Sequence, residues 1–308
     1  MNALSGNAQY IDVLEKVLYN SALDGLSFEG DRFFYGNPLA SNGQHFRKEW
    51  FGTACCPSNI ARLVASLGDY VYGVSEKDIY VNLFIGSSTS LTIQDTKVNL
   101  RQITDYPWNG KVSLEVTPAK KSSFTLRIRI PGWLKGQAVP GDLYQFKEMM
   151  PVQLSILLNG VSIPYKEEEG YAVIDREWKM GDKITFELPL EIKRVMARPE
   201  VKAAKNRVAL QRGPLIYCVE GTDNEGKAWN FVLPDNESIK TNFDEKMLGG
   251  IMTLQFNAPT VKISADGLNV STSKQNITAI PYFSWCNRGQ TPMQVWLPTK
   301  MEDIKINY

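Results

Sequence analysis

Histidine is almost missing from this chain. Its 308 residues include one, His45, and only four cysteines, Cys55, Cys56, Cys218 and Cys286. Four cysteines are too few for a disulfide framework, and with no CxxC pair no spacing specifies a tetrahedral zinc site. An excess of one charge is missing too. The 34 Lys and Arg against 33 Asp and Glu leave a formal +1 without a basic stripe, which argues against nucleic acid and anionic membrane surfaces as partners. No run approaches the ~18 to 20 apolar residues of a membrane span. The opening Met1-Asn2-Ala3-Leu4-Ser5-Gly6-Asn7 has neither a basic nor an apolar stretch, so no signal peptide is legible. A soluble chain is expected, its compartment left open. Gly-rich phosphate cradles, nucleophile elbows, short repeats and low-complexity tracts are also absent.

What is present divides at about residue 75. Tyr10, Val13, Leu14, Val17 and Leu18 recur at helical spacing, behind Asn7 as N-cap and ahead of Gly25. Ile60, Leu63, Val64, Leu67 and Val71 mark a second helix, with Pro57 in its first turn and Gly73 as its C-terminal cap. Between them runs a long segment, Phe28 to Ala54, rich in Gly, Asn and aromatics; a connection of that length is usually functional. From Asp78 the period becomes two. Phe124, Leu126, Ile128 and Ile130 alternate with Arg127 and Arg129 as a half-buried strand. Asn109-Gly110, Asn159-Gly160 and Gly181-Asp182 supply turns. The pattern predicts a mainly β protein: a short helical hairpin over 1–75, then two antiparallel β-sandwich domains over 76–193 and 194–308.

The chemistry gathers at Trp50-Phe51-Gly52-Thr53-Ala54-Cys55-Cys56-Pro57, where two adjacent thiols precede a helix. Adjacent Cα atoms lie about 3.8 Å apart, closer than an ordinary disulfide prefers. Unpaired N–H groups and the helix dipole favour a thiolate, the form that attacks carbon and binds metal. Arg47 and Lys48, nearby in sequence, are candidates to add positive charge. Against this stands a bland reading, in which two small residues fill the seam above the helix. A zinc site built from Cys55, Cys56, His45 and one of Glu29, Asp31 or Glu49 is a further alternative, with no spacing to select it. Cys218 and Cys286 lie in apolar, aromatic runs and are expected to be buried and inert. The run Lys166-Glu167-Glu168-Glu169-Gly170 is expected to be a solvated hairpin.

Several segments resemble glycoside hydrolase family 127, the bacterial β-L-arabinofuranosidase-like family. They are Arg32-Phe33-Phe34-Tyr35-Gly36-Asn37-Pro38-Leu39, Trp50 to Arg62, Asn206 to Tyr217, and Pro292-Met293-Gln294-Val295-Trp296-Leu297-Pro298. The resemblance implies that the helical hairpin is the end of an (α/α)6 barrel followed by β-sandwiches. It implies a retaining hydrolase whose catalytic zinc is held by a Glu-x-Cys pair and two adjacent cysteines. On that pattern Cys55 is the nucleophile and zinc ligand, Cys56 its co-ligand, and Tyr35 a substrate-pocket tyrosine. The glycans would contain L-arabinofuranose. This chain departs from the pattern because Glu-x-Cys occurs nowhere in it, and the barrel's acid/base glutamate has no counterpart. The resulting expectation is a C-terminal portion of such an enzyme, from a shortened gene or an excised piece, binding no zinc and inactive alone. Two other readings accompany it: sandwiches that bind carbohydrate or brace a barrel, and self-association through the apolar helical hairpin.

Overall fold

The structure is a computed structural model that describes residues 1–148, 151–264 and 269–304. It is mainly β, with its few helices at the N-terminal end, as the sequence pattern indicates. The chain forms two compact units, each assembled from separated stretches: Met1–Glu15, Arg62–Pro140 and Met149–Glu191 in one, and Lys16–Ala61, Gly141–Glu148 and Ile192–Tyr308 in the other.

In the first unit two sheets enclose a core. One has six antiparallel strands in the order Val161–Ser162, Ile156–Leu158, Asp182–Glu187, Lys111–Pro118, Thr96–Thr104 and Ser87–Ile93. The other runs Lys166–Glu168, Tyr171–Trp178, Ser122–Arg129, Asp78–Val81 and Tyr72–Val74. Within it Asp78–Val81 lies parallel to Ser122–Arg129. Alternate residues such as Val98, Leu100, Leu114, Val116, Leu126 and Ile128 are fully buried. Asn159 and Gly160, with φ of 51° and 85°, form the tight turn expected of that dipeptide. Lys166, Glu167 and Glu168 are exposed and pair with residues 171–173 across their own hairpin turn.

Helices α1 (Asn2–Ser5) and α2 (Gln9–Lys16) open the chain. Asn7 Oδ1 accepts the Gln9 N–H at 2.9 Å, the capping contact its side chain suits. The buried face of α2 is only partly the expected one. Tyr10 and Leu14 are half-buried and Leu18 just beyond is buried, but Val13 and the following Val17 are 46% and 43% exposed, while Ile11 and Glu15 are buried. The reason is an ion cluster. Arg129, without solvent exposure, places its guanidinium 2.7 Å from Asp12 Oδ1 and 2.5 Å from Glu15 Oε1. Tyr106 and Trp133 donate to the same Glu15 carboxylate, and Arg129 Nε donates to the Asn82 carbonyl. The strand expected to be half-buried, with Arg127 and Arg129 outward, is therefore closed on both faces at its end. Charge satisfaction overrode the hydrophobic periodicity.

Two further differences concern the second helix. It divides into α3 (Cys55–Ala65) and α4 (Gly68–Val71). Gly73 lies in the strand Tyr72–Val74 rather than capping a helix, because that strand pairs with Asp78–Val81.

In the second unit ten strands among the described residues share one hydrogen-bonded sheet. Its main path is Lys240–Asp244, Ile251–Ile263, Val270–Pro281, Leu215–Glu220, Arg207–Arg212, Ile192–Ala197 and Tyr144–Phe146. Ala40–Asn42, inside the long aromatic connection, pairs with Pro292–Gln294. Its hold is reinforced by Val295 N–H to Leu39 O at 3.0 Å and Trp229 Nε1–H to Ser41 O at 3.1 Å. After Lys16 the helix widens into a π turn, Val17–Ala22. That turn lets Asn20 donate to Pro214 O at 2.9 Å and accept Ile216 N–H at 2.7 Å.

Removing one partner from a buried ion cluster strands the others, at a cost of about 3–5 kcal/mol. Arg129→Ala is expected to lower unfolding free energy by about that much in urea titration. Arg129→Met combined with Asp12→Asn and Glu15→Gln should recover most of the loss, since no buried charge is then left alone.

Candidate active site

The long connection is ordered by its own backbone. Phe33 exchanges two hydrogen bonds with Lys48, at 2.8 and 2.9 Å, and bridges Leu26 on its other side. Arg47 holds this fold from beneath. Its guanidinium donates to Asp24 O, Asp24 Oδ1 and Trp285 O at 2.9, 3.2 and 2.8 Å, and lies 4.3 Å from the Phe34 ring centroid. Phe34 in turn stacks on Trp285 at 5.2 Å. Gly25 lies close under α3: a Cβ there would come 2.2 Å from Ile60 Cδ1, so the Ile60 side chain would have to shift. The base of α3 is thereby packed against the end of the preceding helical segment.

On this frame α3 begins with Cys55 and Cys56, and Pro57 is buried in its first turn. Cys55 Sγ lies 3.0 Å from the Tyr35 hydroxyl and 3.8 Å from Cys56 Sγ. Asn59 and Ser58 side chains donate to the Cys55 carbonyl and steady that turn. Tyr35 is positioned by an edge-on contact with Phe51 at 5.2 Å. The hydrogen bond from the Tyr35 hydroxyl, then that from the Cys56 thiol, holds the Cys55 thiol below its ordinary pKa. The partners shift the opposite way. Cys56 is pushed up by desolvation and by its neighbour, and Tyr35 by donating to Cys55. Negative charge is thus directed onto Cys55, an exposed sulfur at a helix N-terminus.

Two sulfurs on one zinc ion, each about 2.3 Å from it at a tetrahedral angle, would stand about 3.8 Å apart. The observed 3.8 Å between Cys55 and Cys56 fits that half-site. Among the described residues no third His, Cys, Asp or Glu joins them. The alternative set with His45 and a loop carboxylate is therefore not assembled. His45 Nδ1 instead meets Ser41 Oγ at 2.9 Å.

Of the residues singled out by sequence, Cys55, Cys56 and Tyr35 come together. Arg47 is committed to Asp24, and Lys48 Nζ sits over the Phe46 and Phe51 rings at 5.7 and 5.9 Å. Cys218 and Cys286 are buried, and burial pushes both thiols up. Asp24 escaped sequence reading, and Phe51 was read only as part of the run before the cysteines. Asp24 in particular carries no local signal, since its partner lies 23 residues away.

A chain with helices N-terminal to β-units, a helix-borne cysteine pair and a tyrosine beside it matches one family along its length. Sequence models of the family 127 β-L-arabinofuranosidase catalytic domain, the family's middle domain and its C-terminal domain match residues 1–69, 78–190 and 192–298. The chain belongs to glycoside hydrolase family 127. A non-reducing end β-L-arabinofuranosidase of Bifidobacterium longum subsp. longum is 31% identical over 326 residues, covering 95% of this chain and 46% of that protein. A solved family 127 β-arabinofuranosidase superposes with a TM-score of 0.94 at 38% identity, covering 98% of this chain and 47% of its own. The β-L-arabinofuranosidase of Geobacillus stearothermophilus T6 gives 0.85 at 34%, covering 96% and 47%. The chain therefore spans about half the length of these relatives. No helix among the described residues is long and apolar enough to cross a membrane.

Two outcomes are expected. Tyr35→Phe removes the donor that favours the Cys55 thiolate, so iodoacetamide should alkylate Cys55 several-fold more slowly near neutral pH, as followed by peptide mass mapping. Separately, burial pushes the Asp24 carboxyl up to about 7, against Arg47 and then Tyr282 and Trp285. The folded protein then holds this proton more tightly than the unfolded chain does. Its contribution to stability is full below about pH 4 and is lost as pH rises through about 7. Urea titrations across that window should show the decline, and Asp24→Asn should flatten it.

Proposed function

We propose that this chain carries the nucleophile side of a β-L-arabinofuranosidase-type active site, acting on glycans that contain L-arabinofuranose. The observation that carries the reading is the pair of distances at the start of α3: Tyr35 Oη to Cys55 Sγ at 3.0 Å, and Cys55 Sγ to Cys56 Sγ at 3.8 Å. Cys55 is the nucleophile and Cys56 its neighbouring metal ligand, with Tyr35 set beside the reacting sulfur to orient it and to contact the sugar. Zinc, when bound through Cys55 and Cys56, would supply Lewis-acid stabilisation of the thiolate. The Cys55 sulfur attacks the anomeric carbon as the bond to the leaving oxygen breaks, and a carboxylic acid delivers the proton to that oxygen. Water, deprotonated by the same carboxylate, then displaces the sulfur, and two inversions give net retention.

The carboxylic acid and the Glu-x-Cys ligands of this scheme are not among the 308 residues. These residues alone are accordingly proposed to be inactive and to hold no stoichiometric zinc. Metal analysis and assay with an aryl β-L-arabinofuranoside test this. Turnover accompanied by one zinc per chain would overturn the inactivity, whereas silence that gives way to turnover on adding the remaining part of a family barrel would support it.

A second reading is favoured by exposure. Within residues 8–72, Val13, Val17, Tyr35, Phe46, Trp50, Val64 and Tyr70 are 39–60% exposed. Self-association through this segment is expected to appear as concentration-dependent mass in light scattering. A monodisperse monomer would count against it. The idea of sugar platforms on the sandwich faces finds less support. Among the described residues no Trp or Tyr of the two β-regions is exposed, and exposed rings gather in the connection between α2 and α3.

A further inference from the structure

A pocket of about 770 Å³ opens in the second unit where the start of that connection meets two loops of the C-terminal sheet. None of Tyr35, Cys55 and Cys56 lines it. Its size suits a small ligand. Phe28 and Phe46 contribute ring surface to its wall and are 46% and 50% exposed. Glu29, Asp31, Arg32 and Gln290 add exposed polar groups. The buried Arg47 also borders it, with its charge already paired to Asp24 at 3.2 Å.

The pocket is held in shape before any ligand arrives. Asn287 Oδ1 accepts the Phe28 N–H at 3.0 Å while its amide donates to Ser284 O at 2.9 Å, tying the aromatic loop to the sheet loop. Phe28 stacks on Phe283 at 6.1 Å. Four lining residues adopt left-handed backbone: Leu248, Gly249, Cys286 and Gly289, with φ of 49°, 75°, 58° and 110°. Two of them are not glycine. Backbone held in such conformations clusters at ligand sites, and a preformed wall lowers the ordering cost of binding.

We propose that this pocket binds one unit of a neutral saccharide. A phenylalanine ring face carries a negative quadrupole that attracts the slightly positive C–H face of a sugar ring. Planar carboxylate, guanidinium and amide groups at the rim match pairs of vicinal hydroxyls, since each presents two hydrogen-bonding atoms in one plane. Charge selects against acidic sugars. Glu29 and Asp31 outnumber Arg32 among the exposed rim groups, so a uronate or phosphate would meet net negative charge there. The proposal leans on the proposed glycan substrate only in choosing arabinose as the first probe.

The test is saturation-transfer NMR and calorimetric titration of the full chain with L-arabinose, an arabino-oligosaccharide and D-galacturonate. Phe46→Ala and Gln290→Ala should each weaken the neutral sugars about tenfold, as loss of one ring or one planar hydrogen-bonding group would. Thermal melting unchanged from the parent shows that these exposed positions leave the fold intact. Cys55→Ser should bind as the parent does, and galacturonate about tenfold more weakly than arabinose. No transfer from any neutral sugar, equal binding in both pocket variants, or preference for galacturonate would each overturn the proposal. Zinc content and hydrolysis play no part in this test, so a silent pocket and a silent thiol centre are told apart.

Discussion

A cation without access to water must be answered by anions, and Arg129 is answered by Asp12 and Glu15 of the first long helix. This constraint fixes which side of α2 faces inward. It leaves Val13 and Val17 in solvent and uses Tyr106, Trp133 and the Asn82 carbonyl to complete the hydrogen bonding. An ion cluster of this kind adds little net stability compared with well-packed hydrocarbon. Its value lies in specificity: a helix rotated or shifted by one residue would bury an unpaired charge.

The second unit repeats the device. Asp24 and Arg47 form a buried pair beneath the aromatic connection, and Arg47 also takes the Trp285 carbonyl. The Phe33–Lys48 bridge then sets where Tyr35 and Phe51 stand, and Tyr35 reaches Cys55. Each step is a short-range consequence of the one before. The thiol centre is exposed and rests on a buried, charged footing, which is the arrangement a reactive group needs to keep its geometry.

The segments that carry the family resemblance acquire separate physical roles. Pro292–Gln294 is the strand against which Ala40–Asn42 of the connection pairs. The Asn206 to Tyr217 segment supplies the Pro214 carbonyl and Ile216 amide that receive Asn20 from the π turn. The Cys55-Cys56 block begins α3, and the Arg32 to Leu39 segment brings Tyr35 beside it.

The mainly β class, the N-terminal helices and the cysteine pair at a helix start were legible in the sequence, because period-two and period-3.6 patterns, turn dipeptides and adjacent thiols are local signals. The inward face of α2, the division of the second helix, and the partners of Arg47 and Arg129 were not. Each depends on a charge or hydrogen bond answered from far along the chain: Glu15 by Arg129, 114 residues away, and Arg47 by Trp285, 238 away. Local pattern determined what kinds of element form and where the reactive sulfurs lie. Tertiary structure decided which faces turn inward and which phenol tunes the thiol, since buried charge can be satisfied only by groups that folding brings together.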